Sequence, residues 1–310
     1  MRIVFMGNPK FAIPSLRLLS ETTHDLMAVV TNQDKPQGRG RKPLSTPVAN
    51  YAGEIGIPII YADNLKDENL ASSLVNLEPD LFIIVAFRIL PLTLLKIPRL
   101  GCINLHGSLL PKYRGAAPIQ WALLNGDSLT GLTTFLLKPS VDTGDILLKR
   151  EVVIYPDDDF GALSKRMSLV GAQLLKETVD KFTHHEIVPL QQDDSQATKA
   201  PKIKREMSLI RWDNPALEIH NQIRALSPVP GTYSFLHNRR LKICLSKPGL
   251  GGEASPGTII ARDKNSFRIA CRSGSLEVFE VQAEGKKRMS AREYLAGARL
   301  QIGECFDTTE

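Results

Sequence analysis

The run Leu81-Phe82-Ile83-Ile84-Val85-Ala86 is apolar at every position, without alternation. A strand wetted on one face alternates, so an unbroken run of this kind requires cover on both faces, as in a parallel sheet flanked by helices. It is also far shorter than the roughly 20 residues of a membrane span. Around it, short β-branched segments at 3–7, 25–31, 57–62, 80–87 and 101–105 read as strands. Helical spacing at 11–20, 46–56 and 65–77 fills the gaps between them. That β-α-β-α-β order predicts an open, mostly parallel α/β sheet. Two further strands are expected at 131–138 and 145–154. A long helix over 160–182 follows, marked by Leu163, Met167, Val170, Leu174 and Phe182.

Periodicity then fails from 185 to 208, where the chain becomes polar and then basic through Lys199, Lys202, Lys204 and Arg205. Beyond it come a short amphipathic helix near 215–225 and strands expected at 232–236, 241–245, 258–261, 266–271 and 276–281. Several short strands at this spacing predict a small barrel or sandwich. Three parts result: 1–190, a connector at 191–208, and 209–310. Residues 1–195 hold 20 Lys and Arg against 21 Asp and Glu, 196–208 hold 4 against 1, and 209–310 hold 15 against 11. A neutral front with a basic connector and tail fits a polyanionic partner met by the back of the chain, or an ordinary basic surface.

Some classes are excluded. Cys102, Cys244, Cys271 and Cys305 lie far apart with no C-x-x-C pair, so neither a disulfide framework nor a zinc knuckle is supported; buried, reduced thiols are expected. No glycine fingerprint for dinucleotides and no phosphate-binding P-loop occurs, which leaves a dehydrogenase remote. The opening Met1-Arg2-Ile3-Val4-Phe5-Met6-Gly7 runs straight into a strand pattern, so a cytoplasmic, unprocessed chain is expected. The short apolar runs place it away from membranes, and a monomer is expected. Trp121 and Trp212 read as core residues.

Open α/β sheets bind ligands at the carboxyl ends of their strands, which directs attention to the polar residues just after Ile103 and around Val141. Asn104 and His106 are two apart, so an extended strand end projects both from one face. An amide N–H and an imidazolium so placed can stabilise the oxyanion of a tetrahedral intermediate. Asp142, in Val141-Asp142-Thr143-Gly144-Asp145, lies on the loop between the next two strands and can orient such an imidazole. Each feature alone also fits a structural role.

The segment His106-Gly107-Ser108-Leu109-Leu110-Pro111-Lys112-Tyr113-Arg114-Gly115-Ala116-Ala117-Pro118-Ile119, with Val141-Asp142-Thr143-Gly144-Asp145 downstream, closely resembles the methionyl-tRNA formyltransferase family. The resemblance extends to Phe11-Ala12-Ile13-Pro14-Ser15-Leu16, to Asp34-Lys35-Pro36-Gln37-Gly38-Arg39-Gly40-Arg41-Lys42, and to the tail at Gly285-Lys286-Lys287-Arg288-Met289 and Tyr294-Leu295-Ala296-Gly297. It implies a Rossmann-like formyltransferase fold followed by a small β-barrel of oligonucleotide-binding (OB-like) type. It further implies Asn104, His106 and Asp142 as the catalytic trio, 10-formyltetrahydrofolate as formyl donor, no metal, and the α-amine of initiator methionyl-tRNA as acceptor.

By the same resemblance, the folate contacts are Phe87, Arg88, Ile89 and Leu90, together with Ser108, Leu109, Leu110 and Pro111. The alternative for Leu109 and Leu110 is packing into the core. Ala86-Phe87-Arg88 departs from the family's common Ala-Tyr-Gly by lacking the glycine, and Gly7-Asn8-Pro9-Lys10 departs from its frequent Gly-Thr-Pro-Asp or Gly-Thr-Pro-Glu. Contacts to tRNA are implied for Lys35, Arg39, Arg41 and Lys42 in a basic, glycine-containing loop read as irregular. The connector and tail add Lys204, Arg205, Lys286, Lys287 and Arg288. Competing readings are a formyltransferase for a small amine, such as glycinamide ribonucleotide or an amino-sugar nucleotide, and a catalytically silent RNA-binding module.

Overall fold

A computed structural model describes residues 1–33, 35–37 and 42–307. The chain forms two compact units, one of residues 1–118, 129–153 and 164–201, the other of 119–128, 154–163 and 202–310. Residues 191–201, read from sequence as connector, belong to the first unit, because Leu190, Thr198 and Ala200 exchange backbone hydrogen bonds with Ile146, Pro111 and Arg114.

The elements up to the long helix are β1 (Arg2–Gly7), α1 (Ile13–Ser20), β2 (Asp25–Thr31), β3 (Lys35–Gln37), β4 (Lys42–Leu44), α2 (Pro47–Glu54), β5 (Ile59–Tyr61), α3 (Glu68–Val75), β6 (Leu81–Val85), α4 (Leu92–Leu95), β7 (Cys102–His106), α5 (Pro118–Leu124), β8 (Leu129–Leu136), β9 (Ile146–Val153) and α6 (Phe160–Thr183). Seven strands make one sheet in the order β5-β2-β1-β6-β7-β8-β9, parallel from β5 to β7 and antiparallel beyond. Every residue of β6 is buried, as its unbroken apolar run requires. Val4, Met6, Phe82 and Ile84 share one core cluster with Leu70, Leu74 and Leu94 from α3 and α4.

Capping fixes where helices begin. The Thr46 hydroxyl accepts the Ala49 N–H at the start of α2, and the Asp67 carboxylate accepts the Asn69 N–H at the start of α3. Asn8, one of the departures in the opening loop, plays a structural part. Its Oδ1 accepts from Thr31 Oγ1 at 3.0 Å and from the Asn32 N–H at 2.9 Å, tying the ends of β1 and β2 together.

The basic loop read as irregular is corrected in part, since β3 and β4 pair as an antiparallel ribbon with Pro36 opposite Pro43. Neither proline has an N–H to donate, and facing positions of an antiparallel pair that exchange no hydrogen bonds tolerate this. Arg39 and Arg41 lie outside the described residues.

The second unit continues with α7 (Ala216–Leu226), β10 (Thr232–Leu236), β11 (Arg239–Gly249), β12 (Ile259–Arg262), β13 (Phe267–Ala270), β14 (Ser275–Ala283), β15 (Met289–Ser290) and α8 (Ala291–Gly297). Its antiparallel sheet runs β10-β11-β14-β13-β12, with β15 added to β14. Residues 303–307 bond to both edges: Ile259 N–H donates to the Glu304 carbonyl at 2.8 Å, and Asp307 N–H to the Phe235 carbonyl at 2.9 Å. Both edge strands are thereby covered, which removes unpaired ladder groups. Trp212 is fully buried in this core against Phe306, its Nε1 donating to Ser234 Oγ, while Trp121 is only half-buried.

Cys102 and Cys271 are buried, and burial pushes both thiols up to about 12. The expectation of four buried thiols is corrected at Cys305, which is exposed in the 303–307 segment, and Cys244 is intermediate.

Candidate active site

Strand β7 delivers Asn104 and His106 to the carboxyl end of the sheet. Leu105 between them points to the opposite face, as pleating demands. A cavity opens there, walled by Ile84, Phe87, Arg88, Ile89, Leu90 and Leu95 on one side and by Leu137, Lys138, Pro139, Ser140, Val141 and Asp142 on the other, with Asn104 in its lining. The lining is mixed, with apolar side chains beside Arg88, Asn104, Lys138, Ser140 and Asp142, a combination that suits a small-molecule ligand carrying both apolar and polar parts. Ile89 is 72% exposed, which leaves an apolar edge at the rim.

His106 stands behind this lining, only 6% exposed, with its ring edge-on to Phe135 at 6.4 Å between centroids. Its Nε2 lies 2.9 Å from the Tyr113 carbonyl, and since a carbonyl only accepts, Nε2 carries the hydrogen. The other nitrogen, Nδ1, faces Asp142 Oδ2 at 3.8 Å. That same carboxylate oxygen accepts the Gly115 N–H at 2.8 Å. Asp142 itself adopts φ 53°, a left-handed conformation that a non-glycine residue keeps only when its surroundings fix it.

Two glycines make this geometry possible. A Cβ on Gly144 would fall inside the Leu136 carbonyl oxygen, and one on Gly115, at φ 130°, would meet the Ala200 carbonyl oxygen at 2.5 Å. Glycine thus allows the Asp142 loop and the Tyr113-Arg114-Gly115 turn to approach neighbouring backbone closely.

The residues expected around the cavity divide. Phe87, Arg88, Ile89 and Leu90 line it. Ser108, Leu109, Leu110 and Pro111 do not: Ser108 is fully buried and donates to the Lys112 carbonyl, and Thr133 Oγ1 accepts the Leu110 N–H while donating to the Ser108 carbonyl. Leu110 packs with Phe135 and Ile146, the core alternative. Lys138, Pro139, Ser140 and Val141, which sequence reasoning approached only as the surroundings of Val141 and did not assign as contacts, complete the lining.

Arg88 explains how the chain dispenses with the glycine. The positive φ at this strand end, 49°, falls on Ala86, not on residue 88. The guanidinium reaches back to the carbonyls of Asp63, at 2.6 Å, and Ala62, and it sits over the Phe87 ring. Burial lowers its pKa, opposed by Asp63, and Nε is buried without a hydrogen-bond partner among the described residues.

Of the expected RNA contacts, Lys35 and Lys42 lie on the β3–β4 ribbon of the first unit. Lys204, Arg205, Lys286, Lys287 and Arg288 are exposed in the second. Arg288 is paired with Glu280, whereas Lys286 joins Arg239, Arg240, Tyr294 and Arg299 along one groove. Among the described residues no cluster of three or more His, Cys, Asp or Glu side chains could hold a metal ion, and no helix is long and apolar enough to cross a membrane.

Residues 1–179 match the formyl transferase family, and residues 202–299 match the formyl transferase C-terminal domain. Fold, site and both matches together make the chain a formyl transferase. Methionyl-tRNA formyltransferase of Citrifermentans bemidjiense is 45% identical over 304 residues, covering 98% of this chain and 95% of that protein. The same enzyme of Trichlorobacter lovleyi is 46% identical over 303 residues, covering 97% and 96%. The chain belongs to the methionyl-tRNA formyltransferase family. Its fold is shared by WlaRD, a sugar 3N-formyl transferase crystallised with dTDP and 5-N-formyl-THF, at TM-score 0.68 and 22% identity, covering 93% of this chain and 99% of that one. It is shared also by HypX from Aquifex aeolicus in complex with tetrahydrofolic acid, at TM-score 0.65 and 18% identity, covering 96% and 47%.

Proposed function

We propose that this protein transfers the formyl group of 10-formyltetrahydrofolate to the α-amine of methionine esterified to initiator tRNA. The observation that carries the reading is the meeting of Asn104 and Asp142 in the lining of one cavity, with His106 held directly behind them. Phe87, Ile89, Leu90 and Val141 supply apolar surface for a pterin ring, and Asn104, Ser140 and Asp142 supply polar groups.

Bound 10-formyltetrahydrofolate supplies the formyl carbon. Asn104 donates its amide N–H to the formyl oxygen as charge develops there, the role of an oxyanion-hole donor. His106, its Nε2–H occupied by Tyr113, acts through Nδ1 and the Asp142 carboxylate. That pair relays, through water, the proton lost by the attacking amine to the departing N10. One carbon–nitrogen bond forms as another breaks, so no redox partner is needed.

In this reading residues 1–190, with 191–201 packed on them, carry catalysis, 202–208 connect, and 209–310 form an OB-like part; Lys204, Arg205, Lys286, Lys287 and Arg288 track the RNA backbone. Lys35, Arg39, Arg41 and Lys42 engage the acceptor end. The protein works as a cytoplasmic monomer, and light scattering in the presence and absence of tRNA checks that state. The deciding experiment offers 10-formyltetrahydrofolate with methionine-charged initiator tRNA, free methionine, or amino-sugar nucleotides, and measures the formylated product by mass spectrometry. Formylmethionine from the charged tRNA alone is expected. Transfer to an amino sugar, or none to tRNA, overturns the acceptor.

A further inference from the structure

Gln192 is 7% exposed, although its neighbourhood reads from sequence as solvated connector. Its amide is saturated. Oε1 accepts from Arg114 Nε at 3.1 Å and Nη2 at 2.8 Å, while Nε2 donates to the Asp142 carbonyl at 2.9 Å and the Gly144 carbonyl at 2.7 Å. A carboxamide has two acceptor sites and two donor hydrogens, so all four are used. The orientation is dictated as well, because a guanidinium only donates and a carbonyl only accepts.

Arg114 is in turn paired with Asp194 at 2.7 Å. It lies between Tyr113, whose carbonyl holds His106, and Gly115, whose N–H holds the Asp142 carboxylate. One buried amide therefore bridges the two chain segments on which the His106–Asp142 geometry depends. Neither Gln192 nor Arg114 lines the cavity, so any influence on chemistry passes through the Asp142 loop and the Tyr113-Arg114-Gly115 turn it is tied to.

We infer that Gln192, oriented by Arg114, is a positioning residue that fixes the strained Asp142 loop against the Tyr113-Arg114-Gly115 turn and so sets the carboxylate facing His106. The inference rests on the reading of Asp142 as part of the catalytic group. This one side chain holds the carbonyl of the left-handed Asp142 and that of Gly144 two residues on, and so helps fix the loop.

The test compares Gln192→Glu, Gln192→Ala, Arg114→Lys, Asp142→Ala and the Gln192→Ala/Asp142→Ala double variant. It measures kcat and KM for formyl transfer, binding of 5-formyltetrahydrofolate as an unreactive probe, and thermal unfolding. Gln192→Glu keeps the shape and an acceptor for Arg114 but turns an oxygen toward two carbonyls. Its kcat is expected to fall about 10- to 100-fold with probe binding and KM for the donor nearly unchanged. The double variant should be no slower than Asp142→Ala alone, because residues acting as a unit are not additive.

Near-normal kcat in Gln192→Glu beside an inactive Asp142→Ala overturns the positioning role and leaves the catalytic reading standing. So do losses that multiply in the double variant. Near-normal turnover in Asp142→Ala overturns both. If Gln192→Ala does not fold, Gln192→Glu and Arg114→Lys carry the same comparison.

Discussion

His106 has one nitrogen committed to a backbone carbonyl and the other facing a carboxylate, so removing the ring and removing its partner should have related consequences. Replacement of His106 or Asp142 by alanine is expected to lower kcat by about 10² to 10⁴, the range of a positioned proton-transfer group. Asn104→Ala should lose about 10² to 10³, as for one oxyanion donor. Single-turnover formyl transfer with saturating donor checks all three, and near-normal rates would remove these residues from the chemistry. A different histidine governs stability. His220, half-buried beside Ser246 Oγ, is pushed down to about 4, first by burial and then by Arg224 and Lys247, against Asp157. With the unfolded imidazole near 6.5, the unfolded chain binds the extra proton between those values. The stabilisation is therefore complete above about pH 6.5 and lost as pH falls toward 4. Between pH 7 and pH 5 this amounts to roughly 1 to 2 kcal/mol after discounting for partial exposure, and His220→Gln should flatten the loss in urea unfolding.

Elements defined by local pattern were legible, and those defined by distant partners were not. The unbroken run of β6 and the helical spacing of α6 announced themselves, and β10 fell on its expected bounds. Strand β11 is far longer than the expected 241–245, because β14 holds it out to Gly249 past Pro248, with register shifts around Leu245 that break the alternation. Helix α8 was missed although Ser290 and Glu293 form a capping box whose spacing can be read directly. At the site, the trio was legible as a pattern, while Tyr113, Gly115 and Gln192 were not. Their roles run through backbone atoms and pairings up to 78 residues apart, which no local spacing encodes. The 303–307 segment is another such long-range element. A chain ending at Ile302 uncovers both edge strands and removes Phe306, so a loss on the order of 3 to 5 kcal/mol from the buried ring alone is expected. In a Trp121→Phe background, red-shifted Trp212 emission at temperatures where the full chain stays native measures it. An unchanged spectrum and transition would show that the segment covers nothing of consequence.

At the scale of the whole molecule, charge is segregated by sequence: the first 195 residues are near neutral, and the excess of Lys and Arg lies after them. Proton relay at a buried imidazole needs no net charge, whereas holding a tRNA does, since each phosphate neutralised releases a counterion and makes affinity fall with salt. The two functions should therefore separate by ionic strength. Raising salt should raise KM for charged tRNA steeply while leaving binding of the unreactive folate probe almost flat. Lys286 and Lys287 are exposed, and no ion pair among the described residues holds either, but Arg288 already has Glu280. Lys286→Ala and Lys287→Ala should each lower the slope of log kcat/KM against log salt by about 1, and Arg288→Ala by less. A salt series of steady-state rates with full-length protein reads this directly. Slopes identical to wild type in both lysine variants would move the RNA contact off this face and leave the basic tail as ordinary solvated surface.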